Sequence, residues 1–187
     1  DSGAPDRAFG IDGALSPPTV GFDLSTPIQA FLVSSAAGRF KVVLAGDLEA
    51  SPSIVKLGGK VMQFAADGTL DPDFQAWSFG LPGSFAVGVV AADDSGAIYV
   101  AGDHDTGSGT EAALIRLIPS GPRDTAFGPQ GYLRWSGSLI TAVHASVGRI
   151  VVAVNDGATA TLYAVTPLGV ADAGFGSGGA VALDALI

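Results

Sequence analysis

One short motif, Gly-x-x-Asp-x-x-Phe, occurs four times in this chain. Its four Phe residues are separated by 65, 53 and 48 positions. Self-similarity at such a period is typical of repeat proteins, in which each repeat is one supersecondary unit and neighbouring units bury each other's apolar faces. The copies are Gly3/Asp6/Phe9, Gly68/Asp71/Phe74, Gly121/Asp124/Phe127 and Gly169/Asp172/Phe175. The spacing therefore predicts a row of similar units.

The residue types of the motif predict a turn that anchors each unit. Glycine adopts backbone angles that other residues avoid, and aspartate accepts hydrogen bonds from amides of its own turn. The Phe is then expected to pack the corner into the core. Three copies continue as Phe-Gly-x-x-Gly, whereas the second has Gln75 and Ser78 at the glycine positions. The functional alternative is that the four Asp residues are catalytic or bind calcium.

A second recurring pattern predicts β-hairpins. Residues 41–47 and 97–103 share an apolar strand ending in Ala-Gly-Asp, and residues 149–155 keep the strand without the glycine. A Gly-containing turn precedes each of them, as in a hairpin. The second repeat is expected to hold strands at 77–81, 84–91, 97–101 and 112–118, and the third at 132–136, 140–145, 149–153 and 161–166.

Composition agrees with an all-β class. The 187 residues include 27 glycines, with 48% apolar and 14% charged residues, which favours short strands joined by tight turns. No segment sustains a 3.6-residue apolar period, so little or no helix is expected. We interpret the chain as one repeat domain, residues 1–187. Its repeats span about 3–67, 68–120 and 121–168, with a partial fourth at 169–187.

The pattern G-x-x-D-x-x-F-G-x-x-G, followed by a hairpin with D-x-G-x-I-x-V-A-G at residues 94–102, resembles the delta-60 repeat of bacterial surface and secreted proteins. The resemblance spans residues 3 to about 181. It implies one β-propeller-like blade of four strands per repeat. It implies no catalytic residues, because none is general to that family.

Counting the predicted units leaves about three blades and an extra terminal strand. Because propellers have at least four blades, the chain is expected to be half of a six-bladed ring completed by a second copy or another chain, or a piece of a longer array. The alternative is a β-trefoil, which closes on itself from three four-stranded units.

The terminal segment 180–187 is apolar and nearly uncharged. Such an edge invites pairing with another chain by strand addition, which makes Val181, Leu183, Leu186 and Ile187 candidate partner-docking residues. The alternative is that the segment pairs with residues 11–15 of the same chain and closes the fold.

Acidic loop residues provide the candidate ligand or cation site. Asp103 and Asp105 flank His104 beside a Gly-rich loop, and Asp47 falls at the same place in the preceding repeat. Oxygen ligands of this kind suit calcium, although the acidic residues lack the regular spacing of a dedicated loop. A solvated hairpin tip is the alternative. With two His and no Cys we expect no transition-metal site, and we predict no cofactor.

The net charge and the first residue of the chain indicate which partners and which location to expect. A net charge of −9 disfavours nucleic acid, and no apolar stretch approaches the length of a membrane span. The chain opens without Met, which favours export, and we expect a secreted, periplasmic or cell-surface bacterial protein. Trp77, Tyr132 and Trp135 either stack on sugar rings or pack between blades.

These observations lead to three hypotheses about function. The first is a non-catalytic extracellular structural or protein-interaction module that assembles with itself or a partner chain. The second is a lectin-like module that binds carbohydrate through exposed Trp77 or Trp135. The third is a propeller-type hydrolase or lyase in which Asp47, Asp103 and Asp105 converge; we find no motif for it and predict no catalytic residues.

Overall fold

The computed structural model describes residues 7, 8, 10–14, 29–34, 40–47, 58–65, 67–71, 74, 77–79, 81, 84–136, 139–157 and 159–183. Within these ranges the chain forms twelve strands and no helix, which confirms the all-β class. The strands are β1 (Gln29–Ser34), β2 (Phe40–Asp47), β3 (Gly59–Phe64), β4 (Trp77–Phe79), β5 (Ser84–Ala92), β6 (Ile98–Asp105), β7 (Thr110–Leu117), β8 (Tyr132–Ser136), β9 (Leu139–Ser146), β10 (Arg149–Asn155), β11 (Ala160–Val165) and β12 (Ala180–Ala182).

The strands form three antiparallel sheets of four strands each. Their order follows the chain: β1 to β4 make the first sheet, β5 to β8 the second and β9 to β12 the third. Within each sheet, every strand pairs with its neighbours in the chain through reversing connections of 2 to 14 residues. In the part of the chain that the structure describes, no helix is long and apolar enough to cross a membrane.

The unit boundaries differ from those predicted. The Gly-x-x-Asp-x-x-Phe turn joins the third strand of a sheet to the fourth, so β4 and β8 complete the sheets that precede them. Our prediction placed these strands, at 77–81 and 132–136, at the start of the next unit. The physical reason is the tight turn itself: it reverses the chain, so the next strand pairs back onto the one just left.

The extra terminal strand was also a wrong interpretation. β12 is the fourth strand of the third sheet, where Val181 pairs with Leu162 of β11. Pairing of the terminal segment with residues 11–15 is likewise not observed among the described residues, since Ile11 bridges Ala14 instead. The described residues therefore form three sheets of four strands each. Leu186 and Ile187 lie outside the described residues.

The sheets pack face to face in sequence order. β5 packs against β1 and β2 of the first sheet, while β9 packs against β5 and β6. Successive side chains along β6 and along β7 point to opposite faces of the second sheet, so this sheet contributes to two cores. The core with the first sheet includes Val61, Phe85, Ile98 and Ile115, all fully buried.

The core with the third sheet includes Tyr99, Leu114, Phe127, Ile150 and Val152, all fully buried. The first and third sheets thus lie on opposite faces of the second, and the row of sheets is not closed into a ring. Strands pair only within their own sheet among the described residues. This arrangement does not fit a trefoil, in which strands of different units pair into a common barrel.

Candidate functional site

The repeat turn has the same backbone hydrogen bonds in its last three copies. In each, the motif glycine donates to the carbonyl three residues before it, the Asp amide bonds back to the third strand, and the Phe amide donates to the Asp carbonyl. In the third copy, for example, these bonds run from Gly121 to Ile118, from Asp124 to Arg116 and from Phe127 to Asp124. Gly3, Asp6 and Phe9 of the first copy lie outside the described residues.

The Asp side chains stabilise the turn and an adjacent strand at once. Asp124 Oδ1 accepts from the amide of Ala126 at 3.0 Å, and Asp172 Oδ1 accepts from that of Gly174 at 3.0 Å. The second carboxylate oxygen of each turn accepts a side-chain hydrogen bond. The donor is Gln63 for Asp71, Arg116 for Asp124 and Arg149 for Asp172. This is a structural role, and the neighbouring donors were not anticipated from the sequence.

The motif Phe rings pack between sheets where a following sheet exists. Phe74 is 3% exposed and Phe127 is fully buried. Phe127 meets Tyr99 edge to face, with ring centroids 6.0 Å apart. Phe175, in the last turn, is only half-buried and has the Arg149 guanidinium 5.8 Å above its ring. The same side chain is therefore a core residue inside the row and a surface residue at its end.

Consecutive turns bond to each other. Gly10 N donates to Asp67 O at 2.7 Å, and Gly128 N donates to Leu168 O at 2.9 Å. In both cases the donor follows the motif Phe and the acceptor precedes the glycine of the next copy. A Cβ on Gly169 would lie 2.7 Å from Gly128 N, so glycine is needed for this approach. Hydrogen bonds between consecutive turns thus contribute to the contact between neighbouring units.

The last turn has the same conformation, and no further copy of the motif follows it within these 187 residues. Gly176 has φ +55°, close to the +65° of Gly128. A Cβ on Gly128 would meet Tyr132 O and the Leu133 side chain, and one on Gly176 would meet the equivalent Ala180 O and Val181 side chain. Among the described residues, no backbone carbonyl outside the strands accepts from Gly176 N.

The third sheet ends the row with an apolar face. One row of side chains, aligned by the strand register, crosses the second sheet and packs toward the third sheet. Its members are Val89, Ala101, Leu114 and Leu133. The equivalent row of the third sheet points away from the second sheet. We define the open face as this row, the neighbouring Val151 and the last turn's ring: Ala142, Val151, Ala153, Leu162, Val181 and Phe175.

Exposure distinguishes the two equivalent faces. Ala101 and Leu114 of the second sheet are fully buried, whereas Ala153 and Leu162 at the same positions are half-buried and Ala142 is exposed. The two faces differ in the covering sheet and in three side chains, since Val89, Tyr99 and Leu133 stand where the third sheet has Ala142, Val151 and Val181. Sequence reasoning missed the open face because it requires knowledge of which sheet lies on which face.

The candidate cation site of Asp47, Asp103 and Asp105 stays a prediction. In the described part of the chain, no group of three or more His, Cys, Asp or Glu side chains is placed to hold a metal ion. Asp103 is half-buried in β6, and Asp105 is exposed and accepts from the amide of Gly107 at 2.8 Å. Asp47 is the last residue of β2, and its side chain lies outside the description. The two Asp side chains of β6 share one face of the strand.

The solvated-tip interpretation is wrong for His104. This side chain is 2% exposed because it points to the face opposite Asp103 and Asp105. Its Nδ1 lies 2.9 Å from Oε1 of Glu111, its cross-strand neighbour, and its ring stands edge-on to Tyr132. Arg134 lies 3.7 Å from the other Glu111 oxygen. The pair is a satisfied buried contact, which only strand register makes visible.

The aromatic residues considered for sugar binding lie between sheets where they are described. Trp135 of β8 is half-buried, and its ring centroid lies 5.5 Å from that of Tyr163 in β11. Tyr132 is 8% exposed. The Trp77 side chain lies outside the description. Trp135 and Tyr132 thus serve packing between neighbouring sheets.

No family model matches the chain, and no curated protein matches it significantly. The resemblance to the delta-60 repeat therefore rests on the motif residues given above.

Proposed function

We propose that this chain is a non-catalytic structural and protein-interaction module of a secreted, periplasmic or surface bacterial protein, of the delta-60 repeat type. It assembles with a second copy of itself or with another chain. The observation that carries the proposal is the open face. At the equivalent positions of the second sheet, which the third sheet covers, four of the six residues are buried and Val89 and Leu133 are half-buried.

The stacking geometry supports propeller-like blades as the working architecture. Each sheet is a four-stranded antiparallel meander, and the first strands of the second and third sheets, β5 and β9, pack against the sheet before them. Radial packing of such sheets around an axis is how propellers are built. Three sheets leave an incomplete ring, so we propose that completion comes from sheets outside these 187 residues.

The face also has the chemistry of an assembly surface. Contiguous exposed apolar patches on soluble proteins mark interaction sites, because burying them releases roughly 25 cal/mol per Å². The six members of the open face carry no charge, while His144 and Arg149 lie on the same face beside Val151, and the Arg149 guanidinium lies over the Phe175 ring. A lectin role receives no comparable support, since Trp135 lies between sheets.

Light scattering after size exclusion, over a concentration series, tests the proposal. We expect association of the wild-type chain that rises with concentration. Val151→Lys on the open face should weaken it at least tenfold, because a charge would be buried in the contact. Val147→Lys is the matched control: the same change in the turn between β9 and β10, at a side chain that is 75% exposed.

Two results would contradict self-assembly. One is a single-chain mass at every concentration. The other is equal association of the two lysine variants, which would move the contact away from the open face. Unchanged circular dichroism of both variants would exclude unfolding as the cause of any difference.

A further inference from the structure

The outer strand of the second sheet has an edge to which no other strand of the described residues pairs. This strand is β8, the last of its sheet. The Arg116 carbonyl accepts from the Asp124 amide and therefore points toward β8, as do the backbone groups of Leu114, two residues before it. Leu114 faces Leu133 in the ladder. Leu133 thus bonds inward to β7, and the N–H and C=O groups of its two neighbours in β8 point outward.

A proline keeps this edge open at Tyr132. In the third sheet the equivalent residue is Ala180, whose carbonyl accepts from the amide of Ser177 at 2.9 Å, so the turn itself covers the start of β12. Pro129 stands at the position of Ser177 and has no amide hydrogen. Among the described residues, no turn amide bonds to the Tyr132 carbonyl. The start of β8 is therefore available to a further strand, whereas that of β12 is not.

An open cavity of about 200 Å³ lies along the same edge. Its walls are Pro129, Gln130, Tyr132, Leu133 and Arg134, so β8 forms one side and the preceding turn forms the other. The Tyr132 hydroxyl donates to Gln130 Oε1 at 3.1 Å and so holds the turn beside the strand. Pro129 and Gln130 are exposed. The cavity is thus open to solvent and lies next to outward-pointing backbone groups.

Arg134 gives this cavity a cationic wall. Its side chain is 60% exposed, and its guanidinium lies 3.7 Å from Glu111 Oε2, while the other oxygen of that carboxylate contacts His104. Because 3.7 Å is beyond an ordinary hydrogen bond, the guanidinium keeps donors for another acceptor. In an antiparallel pair, the residue opposite Arg134 would stand about 5.5 Å away on the same face. A carboxylate at that position would accept a charge-assisted hydrogen bond.

We propose that the β8 edge, the outward backbone groups of Tyr132 and Arg134, binds an extended peptide segment of a partner protein as an antiparallel fifth strand. An acidic residue of the peptide lies opposite Arg134, a β-branched apolar residue follows beside Leu133, and the next residue pairs with Tyr132. Backbone hydrogen bonds supply the affinity and the acidic side chain supplies the specificity. This site is separate from the open face and goes beyond the proposed function.

Fluorescence anisotropy of the full chain with a labelled peptide, Ser-Thr-Glu-Val-Thr-Ser, tests the charge contact. We expect saturable binding that is weakened at least about fivefold when the peptide's Glu is replaced by Lys. Arg134→Gln should abolish the difference between the two peptides, because the cation that distinguishes them is gone. Equal binding of both peptides to the wild-type chain would overturn the proposed specificity.

A serine in place of the proline tests the edge itself. Pro129→Ser should weaken binding of the Glu peptide about fivefold, because the new amide would bond to the Tyr132 carbonyl as the Ser177 amide bonds to that of Ala180. Pro119→Ser is the matched control, since Pro119 is an exposed proline at the end of β7 and does not line the cavity. Equal effects of the two substitutions would contradict the role of the edge. Unchanged urea midpoints of the variants would exclude unfolding as the cause.

Two N-methylated peptides separate strand addition from other modes of binding. In the proposed register, the amides of the peptide's Glu and of the Thr after Val point to the edge, and the amide of Val points away from it. Methylation of the Glu nitrogen should therefore abolish binding, whereas methylation of the Val nitrogen should leave most of it. Equal losses with both peptides would overturn strand addition.

The outcomes distinguish this site from the open face. Absence of saturable binding at millimolar peptide overturns the β8 site and leaves assembly through the open face standing. Peptide binding that Val151→Lys weakens, while Arg134→Gln and Pro129→Ser do not, places the contact on the open face and also overturns the β8 site. Peptide binding with the expected sensitivities, in a chain that keeps a single-chain mass at every concentration, supports the β8 site and contradicts self-assembly.

Discussion

Tyr99 shows how one side chain joins two sheets in this molecule. It is fully buried, its hydroxyl donates to Asp93 Oδ2 at 3.0 Å, and it accepts from Arg116 Nε at 3.2 Å. Burial, as the largest cause, and the negative charge of Asp93, as the second, raise the pKa of Tyr99 to about 12. Asp93 in turn accepts from the amides of Ser95 and Ala97 and so holds the β5–β6 hairpin. One buried phenol therefore links a hairpin turn to the following core.

The raised pKa of Tyr99 predicts a loss of stability at alkaline pH. The folded chain keeps the phenol proton up to about pH 12, whereas the unfolded chain releases it near pH 10. The stabilisation is full below pH 10 and is lost as pH rises to 12, by up to about 3 kcal/mol. Urea unfolding at pH 9, 10, 11 and 12 should show this fall, and Tyr99→Phe should lack it. An equal fall in both proteins would show that another group is responsible.

Arg149 provides a second residue-level prediction, at the exposed last turn. Its hydrogen bond to Asp172, followed by the bond from the Gly174 amide, lowers the pKa of that carboxyl below its usual 3.8. The stabilisation is therefore present above about pH 4 and lost as pH falls through the lowered pKa. Arg149→Met should raise the pKa of Asp172, as read from carboxyl carbon shifts in an NMR titration. Arg134→Met, which changes an arginine far from this turn, should leave it unchanged.

At the scale of elements, the repeat turn is one structure in different surroundings. The last three copies share their backbone bonds, yet the second uses a Gln and the others an Arg to bind the Asp carboxylate. The two arginines come from different strands, β7 and β10. The backbone conformation of the turn is thus determined by local hydrogen bonds, and each sheet supplies a different side chain that binds the Asp carboxylate.

The two best-described Phe positions predict unequal costs for one substitution. Phe127→Ala should reduce the free energy of unfolding by about 3–5 kcal/mol, because a fully buried ring leaves a cavity. Phe175→Ala should cost about half of that or less in dilute solution, because its ring is half exposed. Guanidinium unfolding of the two variants checks this, with Phe→Leu at both sites as a milder pair. Equal losses would mean that the last turn is already covered in solution.

The connection between elements explains which strand predictions succeeded. Hairpins such as β9–β10 were expected from a glycine turn between apolar runs, and they are observed. The strands at 77–81 and 132–136 were found as strands but assigned to the wrong units. Their partners are decided by hydrogen bonding across the repeat turn, and an apolar run carries no mark of the strand it will pair with.

At the scale of the whole molecule, β12 closes the third sheet. The Ala164 amide donates to Gly179 O at the start of this pairing, and the Leu183 amide donates to Ala160 O at 2.7 Å at its end. Leu183 is 41% exposed, and β12 is the outer edge of its sheet. β12 is therefore paired within the third sheet and is at the same time the edge strand of that sheet.

Deletion of residues 180–187 should loosen the third sheet and not only its assembly. Amides two residues apart point to the same side of a strand, so the Leu162 amide of β11 points to β12 as that of Ala164 does. Hydrogen exchange at Leu162 should become much faster in the truncated chain. The Tyr163 amide points to β10 and is the internal control. Unchanged exchange at Leu162 would show that β12 contributes little to the sheet.

The sequence by itself determined the all-β class, the recurring turn and its three key residue types. These follow from interactions within about eight residues, since the turn's bonds join Asp to a strand and a Phe close to it in the chain. Its four copies could be recognised by spacing alone.

Only the tertiary structure decided how strands divide among sheets, that β12 is the fourth strand of the third sheet, and that His104 is buried against Glu111. It also decided that Phe127 is core while Phe175 is surface, although both stand in the same motif. These properties depend on which sheet covers which face. Such packing joins residues far apart in the chain, and no local pattern of residue types encodes it.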